Sequence, residues 1–162
     1  CRRLSVEERK TKIDQNLSYA WRLNIRAASK KLGNLVWNDI RLGKYTVPVG
    51  IIGDVVLARK DIPTSYHLSA TLDDHIQKIG LVTRGEDLVT ATHIHKILQM
   101  LLGLKSPTYL HHPLIMDTKG VRLSKRTRAQ TVKSLKASGL KREDVIDLLG
   151  KKNILSLLSL IN

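Results

Sequence analysis

The sequence predicts an α/β domain followed by a small α-helical subdomain, on three observations. Ile94, Ile97, Leu98, Leu101 and Leu102 recur at the spacing of one helical face, a continuous apolar stripe. The apolar run Leu81-Val82-Thr83 precedes that helix and reads as a short buried strand ending at Arg84-Gly85, which makes a strand–loop–helix unit. Beyond residue 129, Gly139 and Gly150 break the chain into two or three short helical stretches.

The other elements follow in order. Ser5-Val6-Glu7-Glu8 has the form of a capping box opening a polar helix. Ala20 to Ile25 reads as a short strand. Residues 29–50 hold Gly33, Gly43, Pro48 and Gly50 with scattered charge, and read as an irregular connection. Residues 51–58 read as a strand, and Leu68, Leu72, Ile76 and Ile79 predict a helix over 64–77. Thr90 or Thr92 is expected to cap the apolar-striped helix, with Gly103 just past its end. His111 to Met116 reads as a strand or its approach, leading to the loop Lys119 to Arg126.

Composition sets bounds. At 162 residues and 42% apolar, the chain can bury a core; with no Phe, Leu, Ile and Val must fill it. No apolar run is long enough to span a bilayer and the start has no signal-peptide layout, so a cytoplasmic location is expected. The single Cys, at position 1, leaves no internal disulfide.

The net charge of +14 is segregated. Residues 1–44 hold 11 Lys/Arg against 4 Asp/Glu, residues 45–118 hold 6 against 7, and residues 119–162 hold 11 against 3. Two basic flanks around a neutral middle are the electrostatic footprint of a nucleic-acid or polyphosphate partner. No segment pairs its basic residues with a Trp/Phe-rich apolar face, so no membrane partner is expected.

The stretch Lys119-Gly120-Val121-Arg122-Leu123-Ser124-Lys125-Arg126 carries the chemistry. Gly120 frees the backbone, Arg122 and Lys125 supply charge and Ser124 a hydroxyl, a loop suited to transferring phosphoryl oxygens. It resembles the KMSKS signature of class I aminoacyl-tRNA synthetases, in the form common among glutamyl enzymes. Asp54 to Leu68 is similar to that family's approach to the glutamate pocket. Asp73-Asp74-His75 and Thr83-Arg84-Gly85-Glu86-Asp87-Leu88 resemble its VDDH and RGED elements, in the family's order.

The resemblance implies the second half of a Rossmann-like class I catalytic domain over 1–126, with 1–50 partly an insertion or connecting region, and a helical subdomain over 127–162. It implies Lys125, Arg122 and Ser124 as catalytic residues, Lys125 and Arg122 on ATP, and Tyr66 and Arg84 on glutamate. An Arg fork suits a carboxylate and a phenol can donate to one. Without the resemblance, Arg84 could equally pair with Glu86, Asp87 or Asp74, and Tyr66 could be packing.

The implied substrates and cofactors are glutamate, ATP with Mg2+, and tRNA. Within the family, the short tail and Gly53 to Asp61 look most like the glutamyl-Q branch, which acts on queuosine in tRNA(Asp); the parent branch charges tRNA(Glu). Cys1 is similar to the last ligand of the family's small zinc module, whose other ligands are not in this sequence, so Zn2+ is expected in the full-length protein only. The HIGH signature is not in these residues either, so this chain by itself is expected to be an inactive portion. A monomer is expected, although no residue pattern fixes it.

Other constellations carry less. Adjacent Asp73 and Asp74 do not face one another on a helix. His93 and His95 point about 200° apart on a helix, and His111 and His112 oppose one another in extended chain, so no histidine metal site is read. Thr131 to Leu149, broken at Ala137-Ser138-Gly139-Leu140, has the outline of a helix-turn-helix in which Lys133, Lys136, Lys141 and Arg142 would contact phosphates, or of a small helical cap.

Overall fold

A computed structural model describes residues 3–116, 122 and 131–148. Cys1, Ser124, Lys125 and Gly150 lie outside the described residues. The chain divides into two compact units, each assembled from three stretches: Cys1–Trp37, Tyr45–Gly80 and Thr90–Pro107 in the first, and Asn38–Lys44, Leu81–Val89 and Thr108–Asn162 in the second.

The first unit opens with helix α1, Val6–Asp14. The capping box is formed: the Glu8 amide donates to Ser5 Oγ (3.1 Å) and the Ser5 amide to the Glu8 carboxylate (2.6 Å). Strand β1, Ala20–Leu23, runs antiparallel to β4, Val55–Arg59, with a register slip between Trp21 and Arg22. Helix α3, Tyr66–Ile76, starts at Ser65, whose Oγ accepts from the Leu68 amide, and packs against β4. Helix α4, Val89–Leu101, buries Ile94, Ile97 and Leu98. Ile25, Ala28, Leu35, Trp37, Val47 and Val55 are the other main core residues of this unit.

Residues 29–50 depart from the expected irregular connection. Helix α2, Ile25–Leu32, begins where Asn24 Oδ1 accepts from the Ala27 amide (3.0 Å), so Ile25 opens a helix instead of closing β1. Gly33, at φ +68°, ends it. Strands β2, Val36–Asp39, and β3, Gly43–Thr46, follow. The turn between them is built by Asp39, whose Oδ1 accepts from the amides of Arg41 (2.9 Å) and Leu42 (2.8 Å). Scattered polar residues obscured the strand alternation of so short a hairpin.

Two further boundaries move. β4 begins at Val55, because Pro48 to Gly53 forms turns, with the Ile51 amide donating to the Pro48 carbonyl (3.0 Å). Helix α4 rises directly from a 3₁₀ turn at Glu86–Leu88, so Thr90 and Thr92 lie inside the helix instead of capping it. Gly103, at φ +67°, does close that helix, and the Leu104 amide reaches the Gln99 carbonyl (2.8 Å).

In the second unit β5, Leu81–Gly85, runs parallel to β6, Thr108–His112, pairing Arg84 with His111 and Gly85 with His112. Asp39 of β2 pairs in parallel with Tyr109, and the strand order is β3-β2-β6-β5. Leu81 and Val82 are half-buried and Thr83 is exposed, so β5 is less buried than its composition suggests. Helices α5, Val132–Ala137, and α6, Arg142–Leu148, follow, divided by Gly139 at φ +91°. Among the described residues, no helix is long and apolar enough to cross a membrane.

Candidate active site

The carboxyl ends of β2, β5 and β6 in the second unit bring Asp39, Arg84 and His111 together, the edge where open parallel sheets bind ligands. Arg84 is 8% exposed, and its guanidinium carbon lies 5.5 Å from the centroid of the Tyr109 ring. Tyr109 is fully buried, so the ring forms a fixed floor under the cation.

Beside it, Asp39 Oδ2 accepts from the His111 amide (2.9 Å) and sits 2.6 Å from His111 Nδ1. An ionised carboxylate only accepts, so Nδ1 carries the proton of that bond. Burial pushes the Asp39 carboxyl up, but the His111 ring and the amides of Leu42, His111 and Arg41 outweigh it and hold it below the usual carboxylate range. Arg41 Nε donates to the His111 carbonyl (2.6 Å), and the far side of the same guanidinium pairs with Glu86.

Glu86 and Asp87 of the RGED-like element thus engage Arg41 and Arg122; Arg122 Nη1 lies 2.7 Å from Asp87 Oδ2. Arg122 also makes an antiparallel bridge with Met116. Its side chain is half exposed, so the charge is accessible to a polyphosphate. A Cβ at Gly85 would stand 2.5 Å from Asp87 Oδ1 and 3.0 Å from Leu114 Cδ2. The close approach there is therefore with the chain's own Asp87 and Leu114.

The first unit holds Tyr66, half exposed at the start of α3. It lines a cavity of about 560 Å³ with Arg22, Asp54, Arg59, Thr64 and His67. The His67 and His95 rings flank it, each centroid 5.5 Å away, and His67 Nδ1 stands 3.3 Å from His95 Nε2. His93 faces elsewhere, accepting at Nδ1 from the Trp37 indole (2.9 Å). Among the described residues, no group of three or more His, Cys, Asp or Glu is arranged to hold a metal ion.

Of the sequence-derived site residues, Arg84 and Arg122 belong to the second unit and Tyr66 to the first. Asp39, Arg41, Tyr109 and His67 were not singled out, and His95 was weighed only as a metal ligand and set aside. The signal for Asp39 was the turn phrase Asp39-Ile40-Arg41-Leu42-Gly43, in which an Asx turn satisfies the amides two and three residues on.

Residues 1–154 match the family described as tRNA synthetases class I (E and Q), catalytic domain. The chain is 48% identical over 114 residues to a glutamyl-Q tRNA(Asp) synthetase from Rhodobacter capsulatus, covering 70% of this chain and 40% of that protein. It is 32% identical over 148 residues to a glutamate–tRNA ligase from Chlamydia felis, covering 91% of this chain and 28% of that one. The crystal structure of glutamate-tRNA synthetase from Elizabethkingia anophelis superposes with a TM-score of 0.62 at 29% identity, over 85% of this chain and 26% of that one. The chain thus spans well under half the length of these relatives, with an α/β fold like theirs. It belongs to the class I tRNA synthetases of the E and Q group and falls within their catalytic domain.

Proposed function

We propose that the intact protein activates glutamate with ATP and transfers it to queuosine in the anticodon of tRNA(Asp). The observation that carries this is the 48% identity to the glutamyl-Q tRNA(Asp) synthetase, well above the 32% to the glutamate–tRNA ligase. In the first step a glutamate α-carboxylate oxygen attacks the α-phosphorus of ATP and pyrophosphate leaves. In the second, a hydroxyl oxygen of the RNA attacks the adenylate's carbonyl carbon and AMP leaves.

Arg84 is assigned the glutamate carboxylate through its planar fork, and Tyr66 a phenolic hydrogen bond to the same substrate, each on the motif it matches. Arg122, Ser124 and Lys125 are assigned to the triphosphate, with Lys125 offsetting charge on the transferring oxygens. Mg2+ would arrive on the ATP phosphates and neutralise their charge. Cys1 would be one of four zinc ligands in the full-length protein. On this reading the isolated chain is inactive, and the enzyme works in the cytoplasm as a monomer.

The second reading is a glutamate–tRNA ligase, supported by the 91% of this chain that the Chlamydia felis match covers. A non-catalytic nucleic-acid module rests on α5 and α6, whose 6 and 7 residues carry Lys133, Lys136 and Arg142 and flank a tight turn that carries Lys141. The experiment is glutamate transfer by the full reading frame, with ATP, to tRNA(Asp) bearing queuosine and separately to tRNA(Glu). Transfer to the first alone supports the proposal. Transfer to the second supports the ligase. Binding without transfer leaves the module.

A further inference from the structure

We infer that His95, acting through His67, is a positioning residue for Tyr66, holding its ring over the cavity by a bond that one proton serves. The inference rests on the assignment of Tyr66 to glutamate.

Tyr66 is 54% exposed, so burial does not fix its ring. What lies against the ring is a pair of imidazoles, at 60° and 54° to it. His95 is 1% exposed on α4, beside Ile97 and Leu98 at 0% and 3%, and is the immobile end of the arrangement. His67 is in the first turn of α3, and its carbonyl accepts from the hydroxyl of buried Thr71 (2.7 Å). The 3.3 Å nitrogen–nitrogen contact therefore ties the core of the unit to the turn that carries Tyr66.

The contact has a protonation rule. One ring must donate an N–H and the other must accept with a lone pair. Two neutral rings satisfy it, and so does one cation with one neutral ring. Two cations set N–H against N–H and open it. Arg22 and Arg59 share the cavity with His67 and disfavour a second positive charge, while Asp54 favours it. The Tyr66 ring, itself titratable, lies against both imidazoles. On α4, His93 is turned to Trp37 and Lys96 to Ser106 (2.8 Å); on α3, Asp73, Asp74 and His75 stand at the far end of the helix.

The test measures KM and kcat for glutamate in the transfer reaction of the full reading frame, at saturating ATP, between pH 5.5 and 8. His95→Leu and His67→Phe each remove the bond, and His67→Phe keeps a ring against Tyr66. Both should raise KM for glutamate about tenfold with kcat within about threefold. His95→Gln, whose amide can donate or accept, should return KM to within about threefold of the parent. The parent's KM should climb toward the acid end of that range, as a second positive charge opens the contact, and that of His95→Gln should not.

Tyr66→Phe separates the two ideas. If it raises KM while His95→Leu and His67→Phe leave KM unchanged, the inference falls and the glutamate assignment stands. If Tyr66→Phe leaves KM unchanged, the assignment itself falls and takes the inference with it. A KM for His95→Gln as high as for His95→Leu would assign His95 to packing alone. Should circular dichroism show His95→Leu unfolded, His67→Phe, at a half-buried position, decides.

Discussion

The Asp39 carboxylate and the His111 imidazole share a bond of 2.6 Å in which neither side chain has any exposure to solvent. It joins β2 to β6 two residues along from Tyr109, the strand partner of Asp39, at the edge where Arg84 also stands. A buried carboxylate satisfied by four donors is a strong constraint, because each donor it leaves unpaired costs free energy.

Asp39→Asn is expected to destabilise the protein by about 2 kcal/mol, the worth of a bond to a charged group. The melting temperature should fall by about 4–8 °C in calorimetry. Because the folded carboxyl is held below its ordinary value, its contribution is present above about pH 4 and drains away as pH falls further. The parent should therefore lose stability more steeply than Asp39→Asn below that pH. Parallel acid titrations would refute the assignment of the charge.

Arg84→Lys keeps the charge and loses the fork, so KM for glutamate should rise about 10- to 100-fold with a smaller change in kcat. Tyr109→Leu removes the ring beneath the guanidinium and should raise the same KM about fivefold. Steady-state kinetics at saturating ATP reads both.

Lys125→Ala should slow adenylate formation about 10²- to 10³-fold, and Arg122→Ala about tenfold. Asp87→Asn, which releases Arg122 from a half-exposed ion pair, should change the rate by less than about threefold. Pyrophosphate exchange distinguishes them. A phenotype confined to salt-dependent RNA affinity would favour the non-catalytic module.

Trp37→Phe keeps a ring stacked on Tyr45, 4.7 Å between centroids, and deletes the indole bond to His93. The cost should be about 1 kcal/mol, or about 2–4 °C in melting temperature. Trp37 is 3% exposed and Trp21 59%, so the variant's remaining fluorescence should shift to the red.

Much of the fold was legible because its signals are local. Ser5 and Glu8 announce a helix start, Gly103 announces a helix end, and the spacing of Ile94, Ile97 and Leu98 gives the buried face of α4. The 29–50 region was not legible, since β2 and β3 have four residues each, too few for alternation to stand out. Tyr66, Arg84 and Arg122 are proposed for the site on the motifs they match, a signal that family resemblance supplies. The supporting contacts could not, because Asp39 meets His111 across 72 positions and His67 meets His95 across 28. Nothing in composition or spacing pairs residues that only strand pairing or helix packing brings together.

The interleaving of the two units also has a consequence for how the protein is made. Emerging from the ribosome, the first unit lacks its last stretch until Thr90–Pro107 has been synthesised, and the second waits for strand β6. The edges of β2 and β5 that β6 joins are thus made some twenty to seventy positions before it, so the sheet closes only once β6 has been synthesised. A stop codon or deletion anywhere between residues 45 and 107 therefore strands fragments of both units, and no single continuous cut of the gene yields either one alone.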